Sequence, residues 1–232
     1  MDDFAYESAL QMVLGATSAN RPEFEGRYYR WPILNEDTAT TNFDTHYLYH
    51  VAWALRRVVA ARPALHVDFG SSVNFCSTIS AICETHFYDL RPAEIALEGL
   101  TCLAGDLTRL EIESDSLASV SCMHVVEHIG LGRYGDSLDA SGDLAAIAEL
   151  KRVVAPGGSL YFVVPTGIPS ICFNAHRVYS SDAVRGYFAD TFDLQEFYFI
   201  PGPIELPPML NPDHSETLKY EYGCGCYLFR KR

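Results

Sequence analysis

Between Thr45 and Arg62 apolar residues return every three or four positions, at Leu48, Val51, Ala52, Leu55, Val58 and Val59. That period predicts an amphipathic helix, and Pro63 just beyond it marks the end. The pattern then shortens. "ALHVDFG" (64–70) is a brief apolar run closing on an acid and a glycine, which predicts a buried strand. "NFCSTISAIC" (74–83) is a weak helix candidate, and "THFYDL" (85–90) a second strand. "PAEIALEG" (92–99) opens with proline and ends in glycine, as a short helix does. "LTCLAGD" (100–106) and "LASVSCMH" (117–124) predict a third and a fourth strand. "GDLAAIAELKRVV" (142–154) predicts a helix with Leu144, Ile147, Leu150, Val153 and Val154 on one face. "PGG" turns it into "SLYFVVP" (159–165), an unbroken apolar run of the kind found in strands covered on both faces. "FDLQEFYFI" (192–200) and "YGCGCYLFR" (222–230) predict two final strands.

Strands alternating with helices predict an α/β fold around a mostly parallel sheet. Such sheets bind ligands outside the carboxyl ends of their strands, near the point where strand order reverses. Three successive strands end around Asp68, Asp89 and Asp106, which predicts a row of carboxylates along one rim. Asp89 could accept paired hydrogen bonds from a ribose diol, and Asp106 could accept one from an exocyclic adenine amine. Asp68 could orient the loop at Gly70 or meet a cationic group of a ligand. Aspartate also favours turns and helix N-caps, so each acid taken singly has an ordinary structural explanation.

Residues 1–44 are aromatic and polar with weak periodicity, and read as an N-terminal extension or lid to a domain spanning 45–232. "PGPIELPPMLNPDHSE" (201–216) holds five prolines and reads as a long loop. A net charge of −13 disfavours nucleic acid and anionic membrane surfaces as partners. No apolar stretch approaches the roughly 20 residues that span a bilayer, and the acidic start lacks a signal-peptide pattern. Seven cysteines without a framework spacing fit free thiols in a reducing cytoplasm.

The candidate chemistry centres on "CMHVVEHIGLGRYGD" (122–136). His124, Glu127 and His128 spell the H-x-x-E-H of inverzincin metalloproteases, a motif that needs a helix to aim both histidines at one zinc. Here a strand leads in and Gly130 and Gly132 follow almost at once, so a zinc hydrolase is a remote alternative and no metal is expected. His46 and His50 lie on one helical face at zinc-binding spacing, although packing beside Tyr47 and Tyr49 explains them equally well. Cys224 and Cys226 share one strand face, and two buried thiols are expected over a strained disulfide.

The segments "HVDFGSS", "FYDLRP", "AGDLTRLEIESDSLASVSCMHVVEHI" and "ELKRVVAPGGSLYFVVP" resemble the class I S-adenosylmethionine-dependent methyltransferases in order and spacing. More closely, "DTHYLYH", "HVVEHIGLGRYGD" and "FNAHRVYS" look like a methyltransferase-like family classed as a domain of unknown function, whose members often occur with surface-polysaccharide genes. The resemblance covers roughly residues 44–230. It implies a three-layer Rossmann-like architecture with a seven-stranded sheet ending in an antiparallel hairpin. The chain departs from the family's glycine-rich loop, since Gly70-Ser71-Ser72-Val73-Asn74 carries a single glycine.

The resemblance implies S-adenosylmethionine as cofactor and S-adenosylhomocysteine as product. It assigns Asp68, Gly70 and Ser71 to the methionine end, Asp89 to the ribose, Asp106 and Leu107 to the adenine, and His124 to the face of the reacting sulfonium. Transfer to a hydroxyl needs a base with a near-neutral pKa, and His128, His124 and His176 are the candidates. Glu127, Arg133, Tyr134 and Arg177 are candidate acceptor contacts, Arg177 as an anion anchor. The implied function is methylation, O-methylation favoured, of a small polar or glycan-related acceptor. The alternative is a non-catalytic binding or scaffold protein in polysaccharide biosynthesis. A small-molecule or glycan partner is expected, a homodimer is compatible, and neither nucleic acid nor membrane insertion is expected.

Overall fold

In the computed structural model, which describes residues 3–21, 24, 29–202 and 206–232, the chain divides into two units, residues 1–43 and 44–232. Parts of the N-terminal aromatic stretch and of the proline-rich loop therefore lie outside the described residues. The first unit contains helix α1 (Asp3–Asn20), which the sequence pattern does not predict. Its apolar residues do not gather on one buried face, and Phe4, Met12 and Val13 are exposed. Within this unit the Tyr6 hydroxyl accepts from the Trp31 amide at 3.2 Å, and Arg30 meets Glu7 at 2.8 Å.

The second unit is built on strands β1 (Leu65–Phe69), β2 (Glu84–Asp89), β3 (Leu100–Ala104), β4 (Leu117–Met123), β5 (Val154–Thr166), β8 (Phe192–Ile200), β9 (Met209–Leu210) and β10 (Gly223–Lys231). They form one sheet in the order β3-β2-β1-β4-β5-β10-β8-β9. The first five are parallel, and β10 runs antiparallel between β5 and β8. The seven expected strands are all present. The added edge strand β9 comes from the proline-rich segment, which also holds α6 (His214–Thr217) and so is not wholly loop. Strands β6 (Ser170–Cys172) and β7 (His176–Val178) form a separate hairpin.

Helices α2 (Thr45–Ala61) and α3 (Val73–Ser80) cover one face of the sheet; α4 (Gly142–Val153) and α5 (Ser181–Phe188) cover the other. The alternation within β5 sorts its side chains. Tyr161 and Val163 join Trp53, Ala54, Val58, Phe75 and Ile79 under α2 and α3. Leu160, Phe162 and Val164 join Ile147, Leu150, Val184 and Phe188 under α4 and α5. Burying one large aliphatic or aromatic side chain contributes about 1.5–3 kcal/mol, so these two layers hold the sheet between its helices. The Asp44 carboxylate caps α2 by accepting from the Tyr47 amide at 2.9 Å, and Arg62 at φ 49° closes it ahead of Pro63. No described helix is long and apolar enough to cross a membrane.

Two predicted details are overturned. "PAEIALEG" is not a helix but an irregular segment closed by a bridge between Leu97 and Leu100. Ile95 and Leu97 stay exposed, so no buried apolar face offsets the cost of nucleating so short a helix. On α4, Leu144 points to solvent, while Asp143 and Ala146 are buried with Ile147, Leu150 and Val153; Val154 already belongs to β5. Asp143 tolerates burial because Tyr179 donates to it at 2.9 Å and Arg177 lies 3.7 Å away.

A polar thread runs through the layer under α3. The His66 ring nitrogens lie 2.8 Å from the Ser119 and Ser121 hydroxyls, and Ser121 donates in turn to the Asp68 carboxylate. Burial lowers the His66 pKa to about 4. Burial also raises that of Asp68 to about 6, against hydrogen bonds from Ser121 and Ser71. The two shifts act oppositely on stability. Asp68 binds its proton more tightly when folded, so its contribution is complete near pH 4 and is lost as pH rises through about 6. His66 contributes fully above its unfolded value of 6.5 and loses that contribution as pH falls towards about 4. Asp68→Asn, which keeps an acceptor for Ser71 and a partner for Ser121, removes only the first linkage. Relative to wild type, the variant gains roughly 3 kcal/mol between about pH 4 and pH 7. Urea unfolding at a series of pH values measures this, and a constant difference across that range would refute the linkage.

Candidate cofactor and acceptor site

Strand order reverses between β1 and β4, and the carboxyl ends of these strands open onto two clefts. Gly70, just past β1, has φ +70° and its amide donates to the Tyr88 carbonyl at 2.8 Å. The positive φ favours glycine, and a Cβ there would also crowd the Val125 side chain at 3.1 Å. The larger cleft has a volume of about 660 Å³ and is lined by Gly70, Asp89, Asp106, Leu107, His124 and His128, among others. One Asp89 oxygen accepts from the Arg91 amide at 2.7 Å, and one Asp106 oxygen accepts from the Thr108 amide at 2.8 Å. Both carboxylates are thereby fixed at the tips of adjacent strands.

The smaller cleft, about 390 Å³, shares Gly70, His124, His128 and Tyr134 with the larger and adds His46, Tyr47, Glu127, Arg133, His176 and Tyr222. The chain enters it under strain. His124 follows β4 at φ 57°, a left-handed conformation that non-glycine residues rarely adopt. Val126–His128 then form a single 3-10 turn, which places Glu127 beneath the ring of His124. Glu127 is 1% exposed and accepts from His124 Nδ1 at 2.9 Å through Oε1, while its Oε2 is buried with no hydrogen-bond partner. His46 Nε2 is likewise buried without a partner. An unmet buried polar atom costs about 1–3 kcal/mol, and both residues line the smaller cleft.

The two histidines of the motif differ in their partners. Burial disfavours charge on His124 and the Glu127 carboxylate, 2.9 Å from Nδ1, favours it, while Cys224, 3.4 Å from Nε2, is a neutral thiol because burial pushes its pKa up. Burial lowers the pKa of His128, against the pull of Glu127. Its Nδ1 lies 2.6 Å from the Ala175 carbonyl, which can only accept, so the hydrogen sits on Nδ1 and Nε2 keeps a lone pair. His128 is thus a neutral base in the cleft, whereas His124 has its Nδ1 tied to Glu127 and its Nε2 turned to Cys224.

Most candidate residues come together here, and two do not. Asp68 leaves the rim because the pleat of β1 turns it towards α3, where it is fully buried and accepts from the Ser71 amide at 2.9 Å. Of the roles open to it, orienting the loop is the one this geometry allows. Arg177 is no anion anchor, since its guanidinium donates to the Ile129 carbonyl at 2.7 Å and lies beside Asp143. Ser71 lines the smaller cleft, but its hydroxyl accepts from the Met123 amide at 3.0 Å and Ser72 caps α3. His176 packs on Tyr222 with ring centroids 5.2 Å apart. Arg133 donates to the Ala175 carbonyl at 3.1 Å and lies over Tyr134. The helix required by the H-x-x-E-H protease is absent, and His124 and His128 bond in different directions.

Sequence reasoning missed Tyr47 and Tyr222 in the smaller cleft, and the part played by Asp136. That carboxylate accepts from the Gly130, Gly132 and Tyr134 amides and so shapes the "GLGRYGD" loop. Burial would raise its pKa, but those amides hold it below the usual carboxylate range. An acid four to six residues after two loop glycines was the available signal.

A family described as "Caenorhabditis protein of unknown function, DUF268" matches residues 104–195. No curated protein matches the chain. Among solved structures, the N-methyltransferase NodS from Bradyrhizobium japonicum WM9, in complex with S-adenosyl-L-homocysteine, is 15% identical with a TM-score of 0.58, covering 85% of this chain and 93% of its own. A Galdieria sulphuraria protein provisionally named a sarcosine dimethylglycine methyltransferase is 12% identical with a TM-score of 0.55, covering 79% of this chain and 85% of its own. The [4+2]-cyclase SpnF is 13% identical with a TM-score of 0.52, covering 78% and 80%. At such identities the likeness is one of architecture, and by architecture the chain has the Rossmann-like fold of the class I S-adenosylmethionine-dependent methyltransferases.

Proposed function

We propose that this chain transfers a methyl group from S-adenosylmethionine to a small polar acceptor, with a hydroxyl oxygen of a glycan-related molecule favoured. The observation that carries the reading is the pair of clefts meeting at Gly70, His124, His128 and Tyr134, one edged by two fixed carboxylates, the other holding a neutral imidazole and two unmet buried polar atoms. The residues present fit the cofactor. Its volume lies in the range of about 300–1,000 Å³ typical of small-molecule sites. Gly70 leaves room for close approach, Asp89 suits a diol, and Asp106 and Leu107 suit a base with an exocyclic amine. When bound, S-adenosylmethionine supplies an activated methyl group on a sulfonium.

The chain's own residues then have three tasks. Glu127 Oε2 and His46 Nε2 orient the acceptor by hydrogen bonding. His128 Nε2 takes the hydroxyl proton as the oxygen gains its methyl group, and the Ala175 carbonyl holds the ring in the required tautomer. Tyr47, Tyr134 and Tyr222 narrow the smaller cleft and limit its water. A binding-only reading rests on Gly70 being the single glycine of its loop. Against that, Ser71 and Ser72 direct their hydroxyls to the Met123 and Phe75 amides, so the extra side chains serve the fold.

Calorimetric titration with S-adenosylmethionine and S-adenosylhomocysteine tests the cofactor half. Both are expected to bind, with Asp89→Ala weakening S-adenosylhomocysteine by about tenfold or more; no binding of either at millimolar concentration would end the enzyme reading. The base is tested with His128→Asn, whose amide can still donate to the Ala175 carbonyl but offers no Nε2. Transfer of labelled methyl from S-adenosylmethionine to a panel of sugars and other hydroxylated small molecules is expected to fall about 100-fold or more, with cofactor affinity and melting temperature unchanged. Full activity in that variant would remove His128 from the mechanism.

A further inference from the structure

Behind the smaller cleft, three side chains from distant parts of the chain converge: His50 from α2, His124 from the end of β4 and Cys224 from the start of β10. One ligand-type atom of each lies within 4.8 Å of the other two. We infer that His50 Nε2, His124 Nε2 and Cys224 Sγ form a binding site for a borderline-soft divalent cation of the zinc class.

The distances suit such an ion. Zinc bonds of about 2.0–2.1 Å to nitrogen and about 2.3 Å to sulfur, at tetrahedral angles, put nitrogen about 3.5 Å from sulfur and the two nitrogens about 3.4 Å apart. His124 Nε2 is already 3.4 Å from Cys224 Sγ. A closing movement of at most about 1.4 Å brings in the rest, judged from the 4.8 Å limit on the mutual separations.

The outer shell is also that of a metal site. Ligating histidines fix their far nitrogen with a carboxylate or backbone carbonyl. Both arrangements occur here. His50 Nδ1 is 2.6 Å from the His46 carbonyl, which can only accept, so the hydrogen lies on Nδ1 and Nε2 offers its lone pair inward. His124 Nδ1 is 2.9 Å from the buried Glu127 carboxylate, giving a carboxylate–histidine pair aimed at the same point. Rings pack the site closed, with His50 and His124 edge to face at 5.0 Å and Tyr47 stacked on His124 at 5.6 Å. A cysteine and two histidines suit zinc over magnesium or calcium, which prefer oxygen. The cation would take the place of the Cys224 thiol proton, which leaves to solvent, while both histidines offer Nε2 lone pairs. Three protein ligands leave one coordination position for a water or ligand atom.

The site goes beyond the methyl-transfer reading and does not depend on it, because no cofactor-binding residue other than His124 takes part. The test is metal content of the full-length chain purified with zinc supplied, followed by removal of zinc and titration with cobalt(II). Stoichiometric zinc and a thiolate-to-cobalt charge-transfer absorption are expected in the wild type. Cys224→Ser is expected to lose that absorption and His50→Gln to bind cobalt at least about tenfold more weakly, with circular dichroism confirming that each folds. The wild-type measurements stand on their own if either variant fails to fold. A wild-type chain that binds neither metal, or a folded Cys224→Ser variant that keeps the absorption, overturns the site whatever the outcome of the S-adenosylhomocysteine titration.

Discussion

The Asp68 carboxylate is the constraint on which the rest of the carboxyl edge of the sheet depends. It sits in the core between β1 and β4, accepting from the Ser71 amide on one side and the Ser121 hydroxyl on the other. Ser71 completes the stitch by accepting from the Met123 amide. These bonds join the loop after β1 to the last residue of β4, where strand order reverses. A buried carboxylate without partners would cost several kcal/mol, so the loop has little freedom to leave this position. Gly70 is thereby presented at the crevice, and His124 begins its left-handed turn from a fixed point.

From that point one further acid separates the roles of two histidines four residues apart. Glu127 holds its Oε1 at 2.9 Å from His124 Nδ1 but 3.8 Å from His128 Nε2. The nearer ring is hydrogen-bonded to that carboxylate through Nδ1, and burial holds the farther one neutral in the same low-dielectric surroundings. One buried carboxylate thus fixes one ring and leaves the other free as a base. The left-handed φ at His124 makes this possible, because a continued strand would carry Glu127 to the opposite side of the sheet. Local strain is exchanged here for two differently poised rings.

The fold was legible in the sequence because its signals are local and repeated. The strands of the parallel half announce themselves as short apolar runs, three of them ending at an acid, and α2 and α4 carry their periodicity over several turns. The faces were less legible. Leu144 and Asp143 on α4 are adjacent in sequence, and only the Tyr179 hydroxyl and the Arg177 guanidinium, brought from beyond β5, make Asp143 the buried one. The same event removed Arg177 from the acceptor site. Asp68 illustrates a finer limit, since it lies beside Phe87 within the paired part of β1 and points inward, while Asp89 ends β2 and Asp106 lies past β3, so both reach the rim. α1 lacked a buried apolar stripe and so left no pattern to read. His46, His50 and Tyr47 were visible as a helical face, but that this face meets β4 and β10 depends on contacts about 70 to 180 residues away in sequence.

The direction of β10 accounts for the remaining architecture of the site. An antiparallel strand inserted beside β5 begins where its parallel neighbours end, so Tyr222 and Cys224 arrive at the carboxyl rim although they lie near the end of the chain. The repeat Gly223-Cys224-Gly225-Cys226 then divides by face. The glycines lie against Phe199, Thr166 and Tyr227: a Cβ on Gly225 would come 2.3 Å from Thr166 Oγ1, and one on Gly223 would come 2.5 Å from the Phe199 ring. The cysteines face α2, with their sulfurs 4.0 Å apart as free thiols among Trp53, Ala54 and Tyr161. Crowding on one face excludes every side chain, and the narrow space under α2 admits only small ones. Alternation with period two in "GCGC" is therefore a packing requirement on both faces, and that requirement is what brings a sulfur within reach of His124.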